Sequence, residues 1–119
     1  MSRFQHQSLA AGRWSEMSFA EQMANIGSEV SRALNWRNKD RSDFSQHAFF
    51  RALELLDLSL MCADRLPKLK ELTRTREVLV DFFFAENQFQ SSGESLMKYF
   101  DAFARAARRD SWGAEKPNL

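Results

Sequence analysis

Apolar residues recur every three or four positions along most of the chain, the spacing that places them on one face of an α-helix. Ser18 and Glu21 have the spacing of a capping box, in which each residue's side chain accepts the other's backbone N–H. We therefore predict a first helix over residues 18–37. Its apolar stripe consists of Phe19, Met23, Ile26, Val30, Ala33 and Leu34.

A short polar segment then interrupts the pattern, and Asp40 or Ser42 is placed to cap the next helix. The second helix is predicted over residues 42–63. Its apolar residues form two adjacent lines, which Phe50 and Leu58 widen further. A helix that is apolar over so much of its circumference needs partners on more than one side, either three other helices or another subunit.

Pro67 suits the first turn of a third helix, where its missing N–H is not needed, and we predict this helix over residues 67–86. It ends with three consecutive phenylalanines, Phe82, Phe83 and Phe84. Successive residues of a helix point about 100° apart, so the three rings cannot all face one core. The run also favours a β-strand by residue type, but the chain has no second strand-like run to pair with it.

The predicted interface between copies of the chain combines this aromatic triplet with the residues that widen the second helix: Phe82, Phe83, Phe84, Phe50 and Leu58. Replacing Phe83 with glutamate is expected to dissociate the assembly or to prevent folding.

Ser91 and Glu94 repeat the capping-box spacing, and a fourth helix is predicted over residues 93–110. Four helices with short connections favour an all-α fold, an up-down-up-down four-helix bundle. A long helical hairpin is the alternative, but it would leave too many phenylalanines in water.

Gly27 costs the first helix about 1 kcal/mol relative to alanine. Either another backbone approaches closely there, or the glycine is exposed and tolerated.

The two ends of the chain show no sustained apolar period. Residues 1–17 are predicted to form a loose arm, and residues 111–119 a frayed tail. Phe4, Leu9 and Trp14 are candidates to dock from the arm onto a neighbouring copy.

Composition limits the remaining choices. A chain of 119 residues, 44% of them hydrophobic, fits one domain with a modest core. Its net charge of +1 provides no general attraction for nucleic acid, so such binding would depend on local clusters.

The single cysteine, Cys62, suits a reducing compartment and is expected to be a buried small hydrophobe. The start of the chain is a poor signal peptide, and no uncharged run approaches the roughly 18 residues of a membrane span. We predict a cytoplasmic protein without membrane contact.

Motifs for catalysis or metal binding are absent from the sequence. His47 lacks the Glu-x-x-His partner of di-iron bundles, and it shares a predicted helix face with Asp43, Arg51 and Glu54, which is typical of surface ion pairs. We predict no cofactor, no metal and no enzymatic activity. A polar cavity on which Asp43, His47 or Cys62 converged would favour an enzyme instead.

Several positions in the middle of the chain resemble the central hairpin of a known family: Asn25, Ile26, Arg32, Asp43, Phe44 and the leucine-rich ALELLDLSL. This is the four-helix-bundle family that includes the ribosomal-RNA intervening-sequence proteins and the accessory protein of diversity-generating retroelements. The resemblance implies a bundle that assembles into a closed ring, a pentamer in the characterised members. The retroelement accessory protein of this family binds nucleic acid and a reverse transcriptase through basic surfaces, so the resemblance also implies such binding here.

Clusters of basic residues are the candidate contacts for nucleic acid. In the ring that the resemblance implies, the positive electrostatic potentials of the copies of one cluster would add and attract phosphate groups. The candidates are Arg65, Lys68, Lys70, Arg74 and Arg76 of the third helix, and Arg32, Arg37 and Arg41 around the first hinge. The first of these groups is as readily explained as a solvated face. Arg105, Arg108 and Arg109 end the fourth helix, where they interact favourably with the helix dipole, and we interpret them as structural.

Asn25 and Glu29 lie one turn apart on the first helix. They are candidates for polar contacts between helices or subunits, or else are exposed beside the apolar stripe.

The sequence as a whole predicts a non-catalytic homo-oligomeric bundle with a nucleic-acid-associated accessory or scaffold role. The alternative is a protein-interaction module without affinity for nucleic acid.

Overall fold

The structure is a computed structural model that describes residues 12–115. Over this range the chain is helical and has no strand, which confirms the all-α prediction. One helical turn at residues 12–15 precedes four long helices. These are α1 (Phe19–Asn38), α2 (Ser42–Cys62), α3 (Leu66–Phe84) and α4 (Gly93–Glu115).

The observed bounds lie within two residues of the predicted ones, except at the end of α4. There the helix continues to Glu115, so residues 111–115 are not the frayed tail that we predicted. Gly113 weakens a helix without ending it, and Pro117 is the first residue that cannot continue one.

The capping box at the start of α1 is confirmed. The Glu21 N–H donates to Ser18 Oγ at 3.1 Å, and the Ser18 N–H donates to Glu21 Oε1 at 3.3 Å. At the start of α4 the prediction was wrong by one residue. Ser92 is the cap, and its Oγ accepts the Ser95 N–H at 3.0 Å while Ser95 Oγ accepts the Ser92 N–H at 2.9 Å. Serine thus occupies the position where a glutamate was expected, and its Oγ makes the reciprocal hydrogen bond of the capping box.

The hinge between α1 and α2 uses backbone geometry rather than a side-chain cap. Asp40 has a left-handed φ of 58°, and neither Asp40 nor Ser42 caps α2 as predicted. The Arg41 N–H donates to Trp36 O at 2.9 Å and the Asp40 N–H donates to Arg37 O at 3.1 Å. These are the two hydrogen bonds of a Schellman ending, and aspartate is one of the few residues that tolerates the required φ.

Each helix runs antiparallel to its neighbours in the chain, and α4 returns beside α1. Contacts between neighbouring helices show this arrangement. Ala33 late in α1 meets Ser45 early in α2, and Phe49 early in α2 meets Phe83 at the end of α3. Thr75 of α3 meets Tyr99 of α4, and Phe19 at the start of α1 meets Phe103 in the middle of α4. Packing is closest between α1 and its two neighbours, α2 and α4, and α3 packs mainly on α2. The arrangement agrees with an up-down-up-down bundle.

The core contains side chains from all four helices: Met23, Ile26, Val30, Phe49, Leu56, Leu72, Leu79, Leu96 and Phe100. Cys62 is half-buried against this core. Leu58 also belongs to it, with 5% of its surface exposed, so Leu58 was wrongly predicted as an interface residue. Periodicity shows that α2 is apolar on several sides but not which of those sides the chain itself covers.

Trp14 also belongs to the core of its own chain. Its side chain is 7% exposed, and its Nε1–H donates to Ser59 Oγ at 2.8 Å. Gln22 Nε2 donates to Trp14 O at 3.0 Å, which holds the helical turn against α1. Residues 12–17 are therefore part of the bundle and not a loose arm; Phe4 and Leu9 lie outside the described residues.

Gly27 marks a close approach of α1 and α4, as one of the two readings of the sequence predicted. A Cβ atom at Gly27 would lie 2.6 Å from Phe100 Cβ, so only glycine lets α4 pack this close to α1. Between residues 12 and 115 no helix is long and apolar enough to cross a membrane.

Candidate interaction surfaces

Two phenylalanines are exposed side by side where α2 and α3 meet near the hinge. Phe50 and Phe84 stack at 5.8 Å between ring centroids, with 19° between their planes. They are 48% and 51% exposed, and we call them the aromatic pair. Behind them lies Phe49, which is 1% exposed and 5.1 Å from Phe84. The pair is therefore an apolar surface that rests on a rigid core.

The other two rings of the triplet are half-buried. The Phe83 ring lies 4.7 Å from Phe49. The Arg37 guanidinium lies over the Phe82 ring at 4.7 Å and donates to Phe82 O at 3.4 Å. Because Phe83 supports the core, a Phe83→Glu variant tests folding, and Phe84 is the better position at which to test assembly. The three rings are thus unequally buried: Phe83 and Phe84 both contact Phe49, and of the three only Phe84 is exposed.

Cations cover several aromatic rings at the hinge. The Arg41 guanidinium lies 4.4 Å from the Phe44 ring, and Lys39 Nζ lies 5.4 Å from the Trp36 ring. Trp36 and Phe44 in turn pack at 4.8 Å across α1 and α2. Arg37 and Arg41 were predicted as contacts for nucleic acid, and the structure places both in cation–π contacts at the same end of the bundle as the aromatic pair.

Most of the other predicted basic contacts have acidic or aromatic neighbours in their own chain. The ion pairs and the ring contact are Arg32 with Glu29 (2.9 Å), Lys68 with Asp64 (3.3 Å), Arg76 with Asp57 (3.3 Å) and Arg74 over Phe89 (5.7 Å). The hydrogen bond from Lys68 lowers the pKa of the Asp64 carboxyl. Arg65 and Lys70 are exposed and form no ion pair with any residue in the described part of the chain.

The predicted clusters lie at opposite ends of the bundle. Since α3 begins where α2 ends, its basic start is at the end far from the hinge. Lys68 Nζ lies 5.8 Å from the Phe19 ring, and Phe19 packs edge-on at 5.8 Å against Phe103 in the middle of α4, so the second half of α4 begins near the start of α3. This end, which we call the basic end, combines Arg65, Lys68 and Lys70 of α3 with Arg105, Arg108 and Arg109 of α4. The three arginines of α4 border one open recess.

Asn25 and Glu29 form their hydrogen bonds within α1 or to the residues just before it, and not to another long helix. Asn25 Nδ2 donates to Glu21 O at 2.8 Å and to Met17 Sδ at 3.8 Å, and both carboxylate oxygens of Glu29 accept from Arg32. Hydroxyl groups on apolar helix faces connect the elements instead: Ser45 with Ala33, Ser59 with Trp14, and Thr75 with Tyr99. Serine or threonine within an apolar stripe was the signal that the sequence offered for these contacts.

The α3–α4 groove is an opening of about 200 Å³ between these two helices. Thr75 Oγ1 and Tyr99 Oη hydrogen-bond at 2.9 Å beside it. Burial raises the pKa of the Tyr99 phenol above its ordinary value. The rest of the lining combines four polar residues with four apolar ones: Glu71, Arg74, Ser91, Ser95, Val78, Leu79, Leu96 and Phe100.

Asp81 holds the loop between α3 and α4, a role that its sequence context did not indicate. Its buried carboxylate accepts the Gln88 N–H at 2.8 Å and the Phe89 N–H at 3.0 Å. Asn87, with a φ of 54°, exchanges two hydrogen bonds with Ser91. The side chains of Asp81 and Asn87 thus hold the loop, and the loop in turn fixes the positions of Phe89 and of the first residues of α4.

Replacing Asp81 with asparagine is expected to lower the free energy of unfolding by about 2 kcal/mol, because the amide nitrogen cannot accept one of the two N–H groups. Urea unfolding measures the loss, and hydrogen exchange at Phe89 should become faster. Glu86→Gln in the same exposed loop is the control and should change neither. Unchanged exchange at Phe89 in the Asp81 variant would show that the carboxylate does not hold the loop.

The residues that would favour an enzyme do not converge on a cavity. Asp43 and His47 are exposed on the first turns of α2, and Cys62 is at the opposite end of that helix. Among the residues that the structure describes, no three histidine, cysteine or acidic side chains are grouped to hold a metal ion.

Comparison of the chain with models of protein families, with curated proteins and with solved structures found no match.

Proposed function

We propose that this protein is a helical bundle that assembles with copies of itself and serves, without catalysis, as an accessory or scaffold protein on nucleic acid. The aromatic pair is the observation that supports assembly. A buried phenylalanine covers about 150–250 Å², so each half-exposed ring leaves roughly 100 Å² in water, and covering both is worth about 5 kcal/mol. Association itself costs about 4–15 kcal/mol, so the pair would anchor a larger contact.

A closed ring is the assembly that we propose, and the family resemblance of the hinge region supports five subunits. Light scattering on the purified protein tests this proposal directly. A mass near five times that of the 13.8 kDa chain is expected. A mass of one chain at every concentration would overturn self-assembly, and another multiple would overturn only the number of subunits.

The nucleic-acid role is supported by the basic end and by the family resemblance. In a ring with all copies parallel, the basic ends would lie on one rim, where their potentials add and attract phosphate. The partner is then nucleic acid itself or an enzyme that acts on it. A reducing cytoplasm is the compartment that we propose, since the chain has only one cysteine.

Binding to labelled DNA and RNA should weaken steeply with salt if the basic end contacts phosphates. For six to ten phosphate contacts the affinity is expected to fall by about 10³–10⁵ between 50 and 200 mM salt. The double variant Arg65→Glu, Lys70→Glu should weaken binding to all sequences and reduce the slope. Arg51→Glu, on an exposed part of α2, is the control. If the double variant binds nucleic acid as strongly as the wild type, the basic end is not the binding surface and that part of the proposal is wrong.

The second candidate function is a protein-interaction module without affinity for nucleic acid. The aromatic pair supports this candidate equally, because its partner could be another protein. An apolar protein contact weakens little as salt rises, and its formation is accompanied by a negative change in heat capacity. The salt titration therefore separates the two candidates.

A further inference from the structure

The α3–α4 groove lies where the bundle is least closely packed. Helix α1 packs closely on α2 and on α4, and α3 packs mainly on α2, so α3 and α4 leave an opening between them. Leu79, Leu96 and Phe100 belong to the core and form the floor of this opening. A small molecule in the groove would therefore pack directly against core side chains.

The groove has room for the side chain of an apolar amino acid. Its volume is about 200 Å³, whereas an apolar cavity of about 150 Å³ is enough to bind benzene. Val78 of α3 and Leu96 of α4 both line it. A branched or aromatic group of about six carbon atoms thus fits between the two helices.

Hydrogen bonds at the groove determine what the Tyr99 hydroxyl can offer a ligand. Thr75 Oγ1 donates its only hydrogen to Glu71 O at 2.8 Å. In the 2.9 Å contact between the two hydroxyls, Tyr99 must therefore be the donor. The Tyr99 oxygen keeps a free lone pair, so it can accept a hydrogen bond from a ligand but cannot donate one.

Glu71 and Arg74 bring one negative and one positive group to the groove, and the two do not pair with each other. Glu29 and Arg32 have the same spacing on α1 and form an ion pair at 2.9 Å. In the described part of the chain neither Glu71 nor Arg74 has an ion-pair partner, and the Arg74 guanidinium lies 5.7 Å from the Phe89 ring. Both charged groups are thus available to a ligand.

The carboxylate of Glu71 lies near the Tyr99 oxygen. Burial raises the pKa of the Tyr99 phenol, and the negative charge of Glu71 raises it further. Two neighbouring acceptors, one of them charged, favour an ammonium group as the donor. Residues three apart on a helix have Cβ atoms about 5–6 Å apart, so a ligand with a carboxylate beside its ammonium group can reach Arg74 as well.

We infer that the α3–α4 groove is a binding site for a free apolar α-amino acid. Its ammonium group binds Glu71 and the Tyr99 oxygen, and its carboxylate binds the Arg74 guanidinium. Its apolar side chain packs between Val78 and Leu96. The site lies within a single chain and uses neither the aromatic pair nor the basic end, so it goes beyond the proposed function and does not depend on it.

Isothermal titration calorimetry of the full-length protein with L-leucine, L-phenylalanine and glycine tests the site. At least one of the two apolar amino acids is expected to bind with a dissociation constant of about 1 mM or tighter. Glycine has the same charged groups but no apolar side chain, so it should bind about 10-fold or more weakly. Glu71→Gln and Arg74→Gln should each weaken binding of the apolar amino acid by about 10-fold or more, because each removes a charge-assisted hydrogen bond.

Matched controls are available on the same helix. Glu77→Gln and Lys70→Gln change exposed charges of α3 that do not line the groove, and both variants should bind like the wild type. L-Leucinamide, which lacks the carboxylate, should bind the wild type and the Arg74→Gln variant equally well, whereas Glu71→Gln should weaken its binding. Circular dichroism checks that every variant is folded.

The outcomes separate this inference from the proposed function. If neither L-leucine nor L-phenylalanine binds, the inference is wrong, while the light-scattering and salt experiments still decide the proposed function. An apolar amino acid that binds both folded groove variants as tightly as the wild type would occupy another site, which also overturns the inference. Glycine that binds as tightly as the apolar amino acids would show that the groove takes up no side chain, with the same consequence.

Discussion

Replacing Trp14 with alanine is expected to lower the free energy of unfolding by about 3–5 kcal/mol, the usual cost of removing a large buried aromatic side chain. The indole lies in the core and donates to Ser59 across the bundle, although it belongs to a single helical turn before α1. Its loss would leave a cavity between that turn and α2, and the Ser59 hydroxyl without its donor. Urea unfolding followed by circular dichroism measures the change.

Two companion variants separate packing from the hydrogen bond. Trp14→Phe keeps an aromatic ring but removes the N–H, and it should cost about 1–3 kcal/mol through the unsatisfied Ser59 hydroxyl. Arg13→Ala changes the exposed neighbour and should be neutral. If Trp14→Ala were as stable as the wild type, the helical turn would not be part of the folded core.

Replacing Gly27 with valine is expected to destabilise the protein by about 3 kcal/mol, the upper end of the usual cost of overpacking. Helix propensity acts in the opposite direction, since almost any residue forms helix better than glycine, by up to about 1 kcal/mol. Steric overlap decides the sign here. The atom nearest to the added Cβ is Phe100 Cβ, at 2.6 Å, which cannot move away without the α4 backbone.

Gly27→Ala should show the same sign with a smaller loss, about 1–2 kcal/mol, because it adds only the Cβ. Ser28→Val places a similar side chain on the exposed side of α1 and should change stability by less than about 0.5 kcal/mol. Thermal or urea unfolding of the three variants is sufficient. A Gly27→Ala protein more stable than the wild type would mean that α1 and α4 separate easily at this point.

Local signals in the sequence predicted the helices well. The Ser18–Glu21 capping box, the three-and-four apolar spacing and Pro67 in the first turn of α3 depend on contacts within a few residues, so they can be read without a fold. The errors at Asp40 and Ser91 are of the same local kind. Several nearby polar residues were able to end or begin the helix, and the sequence did not distinguish among them.

The candidate surfaces were predicted only in part. The sequence correctly indicated more aromatic side chains on α2 and α3 than one core line holds, and Phe50 and Phe84 are indeed exposed. It did not reveal the α3–α4 groove, because a groove depends on how far apart two helices pack. It also did not reveal that the basic residues of α3 and α4 share one end of the bundle.

The four helices, their order and the excess of apolar surface could be predicted from the chain alone, because they follow from hydrogen bonds and side-chain spacing within each helix. Which apolar residues remain in water depends on how the helices pack together. Trp14 and Leu58 are buried and Phe84 is half-exposed, although all three are large, apolar side chains on helical segments. Burial depends on which other helix lies beside a residue, and that is a relation between segments distant in the chain.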